Sequence, residues 1–130
     1  MLFRSKESEE SEILVLGLTY RAGVDELRAT PAVGVIERLA SAGADVTAVD
    51  PITKTHEPFE NAGAVVEDLD AACEQRYDAI VLVTAQSEFE TIDISSLAAD
   101  DPVVVVDGRQ ALTELQNENG IYYRGIGINA

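Results

Sequence analysis

The chain has little of the chemistry on which most enzymes draw. Its 130 residues include one cysteine (Cys73), one histidine (His56), no tryptophan and two lysines, Lys6 and Lys54. A single cysteine excludes an internal disulfide and any cysteine-based zinc site. A single histidine leaves Ser-His or Cys-His catalysis with one candidate base, and His56 lies in the polar stretch Thr55-His56-Glu57-Pro58, which reads as surface. Cys73 falls at an apolar position of a predicted helix, where a buried, unreactive thiol is expected rather than a nucleophile. No catalytic residue and no metal ligand set emerges. No apolar run approaches the roughly 18 residues that span a bilayer. The start of the chain, Met1-Leu2-Phe3-Arg4-Ser5-Lys6, lacks the apolar centre of a secretory signal. These absences lead us to expect a cytoplasmic protein.

Positive charge is also scarce. Nine Lys and Arg stand against 24 Asp and Glu, a net charge of −15. Nucleic acid and anionic membrane surfaces both demand a basic face, so neither is an expected partner. Abundant carboxylates with few lysines read as adaptation to high salt, where counter-ions screen the self-repulsion such a charge creates. The expected outcome is stability that rises between about 0.1 M and about 2 M KCl; urea midpoints unchanged over that range would refute the reading.

Apolar residues, at 46%, are enough for one globular domain. Residues 1–11 are polar and read as a flexible lead-in, leaving 12–130 as the domain. Ile13 to Leu16 is apolar on both faces, as a buried parallel strand requires. Thr30-Pro31 gives a helix start, Val33, Ile36, Leu39 and Ala40 recur at helical spacing, and Gly43 closes that helix. Further strands are expected at Asp45 to Val49, Ala64 to Val66, Ala79 to Val83, Pro102 to Val106 and Ile121 to Ile126. Helical segments fall at Thr55 to Ala62, from an Asp68 cap through Arg76, near Ser87, and around Leu112 and Leu115. This alternation predicts a three-layer, Rossmann-like, doubly wound fold with a mostly parallel six-stranded sheet. Ligands of such folds sit beyond the C-terminal ends of the strands. The loops that follow Leu16, Val49, Val83 and Val106 are therefore the places for a site.

The loop from Gly17 to Pro31 holds Arg21 and Arg28, two cations in an acidic chain. It has no Gly-x-Gly-x-x-Gly and no Gly-x-x-x-x-Gly-Lys-Ser/Thr, so the usual backbone cradles for NAD or ATP phosphates are missing. Arg21 and Arg28 either grip phosphate oxygens through their guanidinium forks or pair with Asp25 and Glu26; spacing alone leaves both open. Asp107-Gly108-Arg109 is a turn or the source of a third cation. Asp50 ends the second strand where a ribose-binding carboxylate would lie in a dinucleotide fold. The absent glycine pattern and the following Pro51 favour a turn role. A phosphorylation receiver shares this rhythm, but Leu18 and Thr19 replace the acidic pair it needs for Mg²⁺.

The segment Val15-Leu16-Gly17-Leu18-Thr19-Tyr20-Arg21 through Asp25-Glu26-Leu27-Arg28-Ala29-Thr30-Pro31-Ala32 resembles the opening of the C-terminal domain of UDP-glucose/GDP-mannose dehydrogenases. Val49-Asp50-Pro51, Ala79 to Ala85 with Glu88-Phe89, Val106-Asp107-Gly108-Arg109 and Gly125-Ile126-Gly127 match in the same order. The resemblance covers residues 12–128. It implies the UDP-sugar-binding domain of an enzyme that oxidises a nucleotide-sugar 6-hydroxyl to a carboxylate in two NAD-dependent steps. Such an enzyme is a homo-oligomer whose NAD is bound mainly by a separate N-terminal domain, with a central domain between. By position, Tyr20, Arg21 and Arg109 would bind the UDP-sugar, and Arg28 would reach the NAD. Arg21 stands where the family usually has lysine, and Gln86 where histidine or an aromatic residue is common. The family's nucleophilic cysteine belongs to another domain, and Cys73 matches no such position, so the chain alone is expected to be inactive. The other reading is a free-standing, non-catalytic nucleotide-binding or regulatory module.

Overall fold

The computed structural model describes residues 11–19, 23, 27, 30–99, 103–108 and 121–125. Strand β1 (Glu12–Leu16) leads to helix α1 (Ala32–Ser41), β2 (Asp45–Val49), α2 (Glu57–Ala62) and β3 (Ala64–Val66). Then follow α3 (Leu69–Ala72), β4 (Ala79–Leu82), two 3₁₀ turns (Ser87–Thr91 and Ile94–Leu97), β5 (Val103–Asp107) and β6 (Ile121–Gly125). The sheet order is β3-β2-β1-β4-β5-β6, and every pairing is parallel. The direction of winding reverses between β1 and β4, which makes their junction the topological switch point.

Alternation along each strand divides the core in two. Ile13, Val15, Val46, Ala48 and Val81 point to one face and pack with Ile36 of α1 and Phe59 of α2. Leu14, Leu16, Ile80, Leu82, Val103 and Val105 point to the other, against Ala72 of α3, Tyr77, Phe89 and Leu97. A strand covered on both sides has no solvent face to mark with polar residues, which is why β1, β4 and β5 are almost wholly apolar in sequence. Tyr77 is fully buried; its hydroxyl donates to the Ala72 carbonyl at 2.8 Å, tying the end of α3 to the sheet. Burial pushes its phenol up to about 12.

The caps differ in detail from the sequence expectation. Pro31 is the N-cap of α1 and its carbonyl accepts from Val35 N at 3.0 Å, while Thr30 Oγ1 makes only a long 3.4 Å contact with Ala32 N. Gly43, at φ +93°, closes α1 as its sequence position requires. Asp68 caps α3 by accepting from Ala71 N at 2.8 Å. That helix stops at Ala72 instead of running through Arg76, because Glu74 N and Gln75 N turn back to Ala71 and Ala72 at i−3 spacing. Arg76 then donates to the Gln75 carbonyl at 2.9 Å. Ser11 is buried, and its carbonyl accepts from Asp45 N at 2.9 Å. The lead-in before it and the helix expected around Leu112 and Leu115 lie outside the described residues. Among the described residues no helix is long and apolar enough to cross a membrane.

Candidate functional site

Register brings the strand ends level. Leu16 lies opposite both Val49 and Leu82, and Leu82 opposite Asp107. The residues that follow, Gly17, Asp50, Val83 and Gly108, therefore share one edge of the sheet.

Asp50 organises this edge. It is 8% exposed and accepts five hydrogen bonds. Oδ2 takes Leu18 N at 2.7 Å, Thr19 N at 3.1 Å and Gln86 Nε2 at 3.1 Å. Oδ1 takes Ile52 N at 2.7 Å and Thr53 N at 3.3 Å. A buried carboxylate needs such donors to replace its lost hydration. The bond to Ile52 is the turn role expected of Asp50; the bonds to Leu18 and Thr19 reach across the sheet to the loop after β1.

That reach has a chemical consequence. In a dinucleotide-binding domain the amides just past the first strand face a pyrophosphate. Here the amides of Leu18 and Thr19 face Asp50. The described residues of this edge therefore do not fit NAD.

The β4 loop closes the switch point from the other side. Thr84 Oγ1 donates to the Thr19 carbonyl, and Gln86 Nε2 donates to Thr19 Oγ1 at 2.7 Å. Gln86 Oε1 accepts from Gly23 N at 2.7 Å. Gly17 passes directly over Thr84 at φ +96°. Next along the edge, Asp107 is fully buried and accepts from the Tyr123 hydroxyl at 2.7 Å, while Gly108 N donates to the Leu82 carbonyl at 2.9 Å.

Tyr20, Arg21, Arg28 and Arg109 lie outside the described residues. Their chain neighbours do not. Thr19 and Gly23 flank Tyr20 and Arg21 and are both tied to Gln86. Leu27 and Thr30 flank Arg28; Leu27 packs on the α1 face, and its carbonyl accepts from Thr30 N at 3.2 Å. Gly108 precedes Arg109. Sequence reasoning missed Thr19, Thr84 and Gln86 as structural ties. The available signal was a pair of polar residues, Thr84 and Gln86, directly after an apolar strand at the switch point.

Two other candidates lose ground. Cys73 is half-buried rather than fully buried as expected, and that partial burial, together with the Asp70 carboxylate, raises its thiol pKa, which disfavours the reactive thiolate. His56 lines a cleft of about 450 Å³ beyond β2 and β3 with Lys54, Glu67 and Asp68. The one hydroxyl in that lining, on Thr53, accepts from Thr55 N at 3.1 Å, and Asp68 is committed to its cap. Among the described residues no group of three His, Cys, Asp or Glu side chains could hold a metal ion.

Fold and edge together define a doubly wound α/β domain whose switch point is filled by its own carboxylate and amide. Residues 14–114 match the UDP-binding domain of the UDP-glucose/GDP-mannose dehydrogenase family, and the chain belongs to that family. It is similar to the UDP-glucose 6-dehydrogenase of Rhizobium meliloti, 39% identical over 92 residues, covering 67% of this chain and 20% of that protein. A UDP-glucose 6-dehydrogenase of Haloferax volcanii is 32% identical over 103 residues, covering 78% of this chain and 23% of the relative. Among solved structures, the UDP-D-ManNAc dehydrogenase of Pyrococcus horikoshii superposes with a TM-score of 0.67 at 27% identity, covering 94% of this chain and 27% of that one. The chain thus spans about a quarter of the length of these relatives.

Proposed function

We propose that residues 12–130 are the UDP-sugar-binding domain of an NAD-dependent nucleotide-sugar 6-dehydrogenase, working with NAD-binding and central domains on another part of the enzyme. The observation that carries this reading is the convergence of the β1 loop and the Asp107-Gly108 turn on one edge of the sheet, within the family match. On this reading Arg21 and Arg109 hold the diphosphate through charge-assisted bonds, Tyr20 lies against the nucleotide sugar, and Arg28 reaches toward NAD held elsewhere. The domain binds and orients; the oxidation belongs to residues outside this chain. A salt-adapted surface is part of the proposal, supported by the net charge of −15 and by the Haloferax relative.

Titration calorimetry with UDP and with UDP-glucose tests the reading. The expected result is UDP binding by the chain, weakened about tenfold or more in Arg109→Ala, the loss of one charge-assisted contact. The same preparation, given UDP-glucose and NAD⁺, should show no turnover. Absence of UDP binding at millimolar concentration, or affinity unchanged by Arg109→Ala, would remove the site as proposed, and turnover by the chain alone would contradict the division of labour.

A further inference from the structure

Gln86 is 1% exposed and uses both ends of its amide. The oxygen accepts from the Gly23 backbone at 2.7 Å. The nitrogen donates to Thr19 Oγ1 at 2.7 Å and to Asp50 Oδ2 at 3.1 Å. Thr19 and Gly23 are the two described residues on either side of the span 20–22. One side chain therefore joins Thr19 and Gly23 to each other and to the carboxylate that gathers the strand ends.

The chemistry of this junction selects an amide. Asp50 needs a donor, Gly23 N needs an acceptor, and Thr19 Oγ1 accepts from the same amide nitrogen. A primary amide offers two N–H donors and a carbonyl acceptor on one planar group. A carboxylate of the same shape has no donor and would set a second negative charge beside Asp50. An imidazole offers at most one donor with one acceptor, and as a cation no acceptor at all.

We propose that Gln86 is a positioning residue for the nucleotide-sugar site: it sets the separation and orientation of Thr19 and Gly23, the residues that flank Tyr20 and Arg21 in sequence, without itself contacting ligand. The inference rests on the UDP-site reading and adds a determinant to it. It also makes the site's geometry depend on a residue 63 and 67 positions away in sequence from the two it holds.

Gln86→Glu and Gln86→Met provide the test, with UDP affinity and the amide-exchange protection of Gly23 read on the same samples. In Gln86→Glu, the neighbouring Asp50 charge favours the protonated acid, whose hydroxyl restores one donor. The expected result is UDP affinity within about threefold of the parent chain near about pH 5, falling about tenfold relative to the parent by about pH 8 as the new carboxyl ionises. The parent chain at each pH removes the contribution of UDP's own titration. In Gln86→Met, Gly23 protection and UDP affinity should both fall at every pH.

Lowered melting temperature with parent-like affinity and parent-like Gly23 protection would show a purely structural glutamine and overturn the proposal. So would a Gln86→Glu affinity that tracks the parent across the pH range. If the parent chain itself fails to bind UDP, the UDP-site reading falls by that result. The positioning role falls with that site, and Gly23 exchange then reads the tie alone: protection retained in Gln86→Met defeats even that.

Discussion

Gly17→Ala should destabilise the domain by about 3–5 kcal/mol, read as a shift in the urea or thermal midpoint, while Gly23→Ala costs only about 1 kcal/mol. Both glycines have positive φ, +96° and +75°, so each substitution meets the strain that a Cβ suffers in that region. Their surroundings differ. A Cβ on Gly23 meets nothing within 4 Å. A Cβ on Gly17 would lie 2.4 Å from Thr84 O, 2.5 Å from Thr84 N and 2.6 Å from Thr84 Cβ. Two of those are backbone atoms of the chain leaving β4, and Val83 N and Thr84 N both donate to the Leu16 carbonyl at this junction. No rotamer change relieves the clash; β1 and β4 must separate at the switch point. The pair of variants therefore separates strain alone from strain plus collision. Equal midpoints for the two would mean that the junction yields, and the close approach would lose its importance.

Asp50→Ala should cost a comparable amount, about 3–5 kcal/mol, because it strands donors rather than removing a contact. Four backbone N–H groups, on Leu18, Thr19, Ile52 and Thr53, and the Gln86 amide all end on this carboxylate. Each buried donor left without an acceptor loses about 1–3 kcal/mol, reduced where water enters the space left by the side chain. Asp50→Asn should rescue poorly despite its matching shape. Its amide nitrogen would have to face N–H groups at whichever oxygen position it occupies. Chemical unfolding of the three chains checks this, and an Asp50→Asn variant within about 0.5 kcal/mol of the parent would show that the carboxylate is not the organising acceptor.

The sheet was legible in the sequence because burial on both faces leaves an uninterrupted signal. Ile13 to Leu16, Ala79 to Leu82 and Val103 to Val106 carry no polar residue, as strands covered on both faces of a parallel sheet require. Local chemistry also read well where it is local: Gly43 for a left-handed helix end, Asp68 for a cap three residues from its donor. Helix lengths read less well. The stop of α3 at Ala72 comes with the i−3 turns of Glu74 and Gln75, beside which the Tyr77 hydroxyl also meets the Ala72 carbonyl, and no breaker residue marks it in sequence. The site itself was legible only as far as the strand-end rule and the family resemblance carried it, to Tyr20, Arg21, Arg28 and Arg109. Gln86 was visible merely as an unusual residue at its position. Its partners are 36, 63 and 67 residues away, so no periodicity or spacing rule connects them.

Those separations also impose an order on the chain's emergence during synthesis. The amides of Leu18 and Thr19 find their acceptor only after residue 50 has been added, 32 and 31 positions later. The clasp on Gly23 and Thr19 waits for residue 86. A nascent chain long enough to hold β1, β2 and β3 therefore still lacks a fastened ligand edge. The residues flanking the proposed phosphate-gripping Arg21 are made early, yet their ties to Gln86 wait until β4 has been completed.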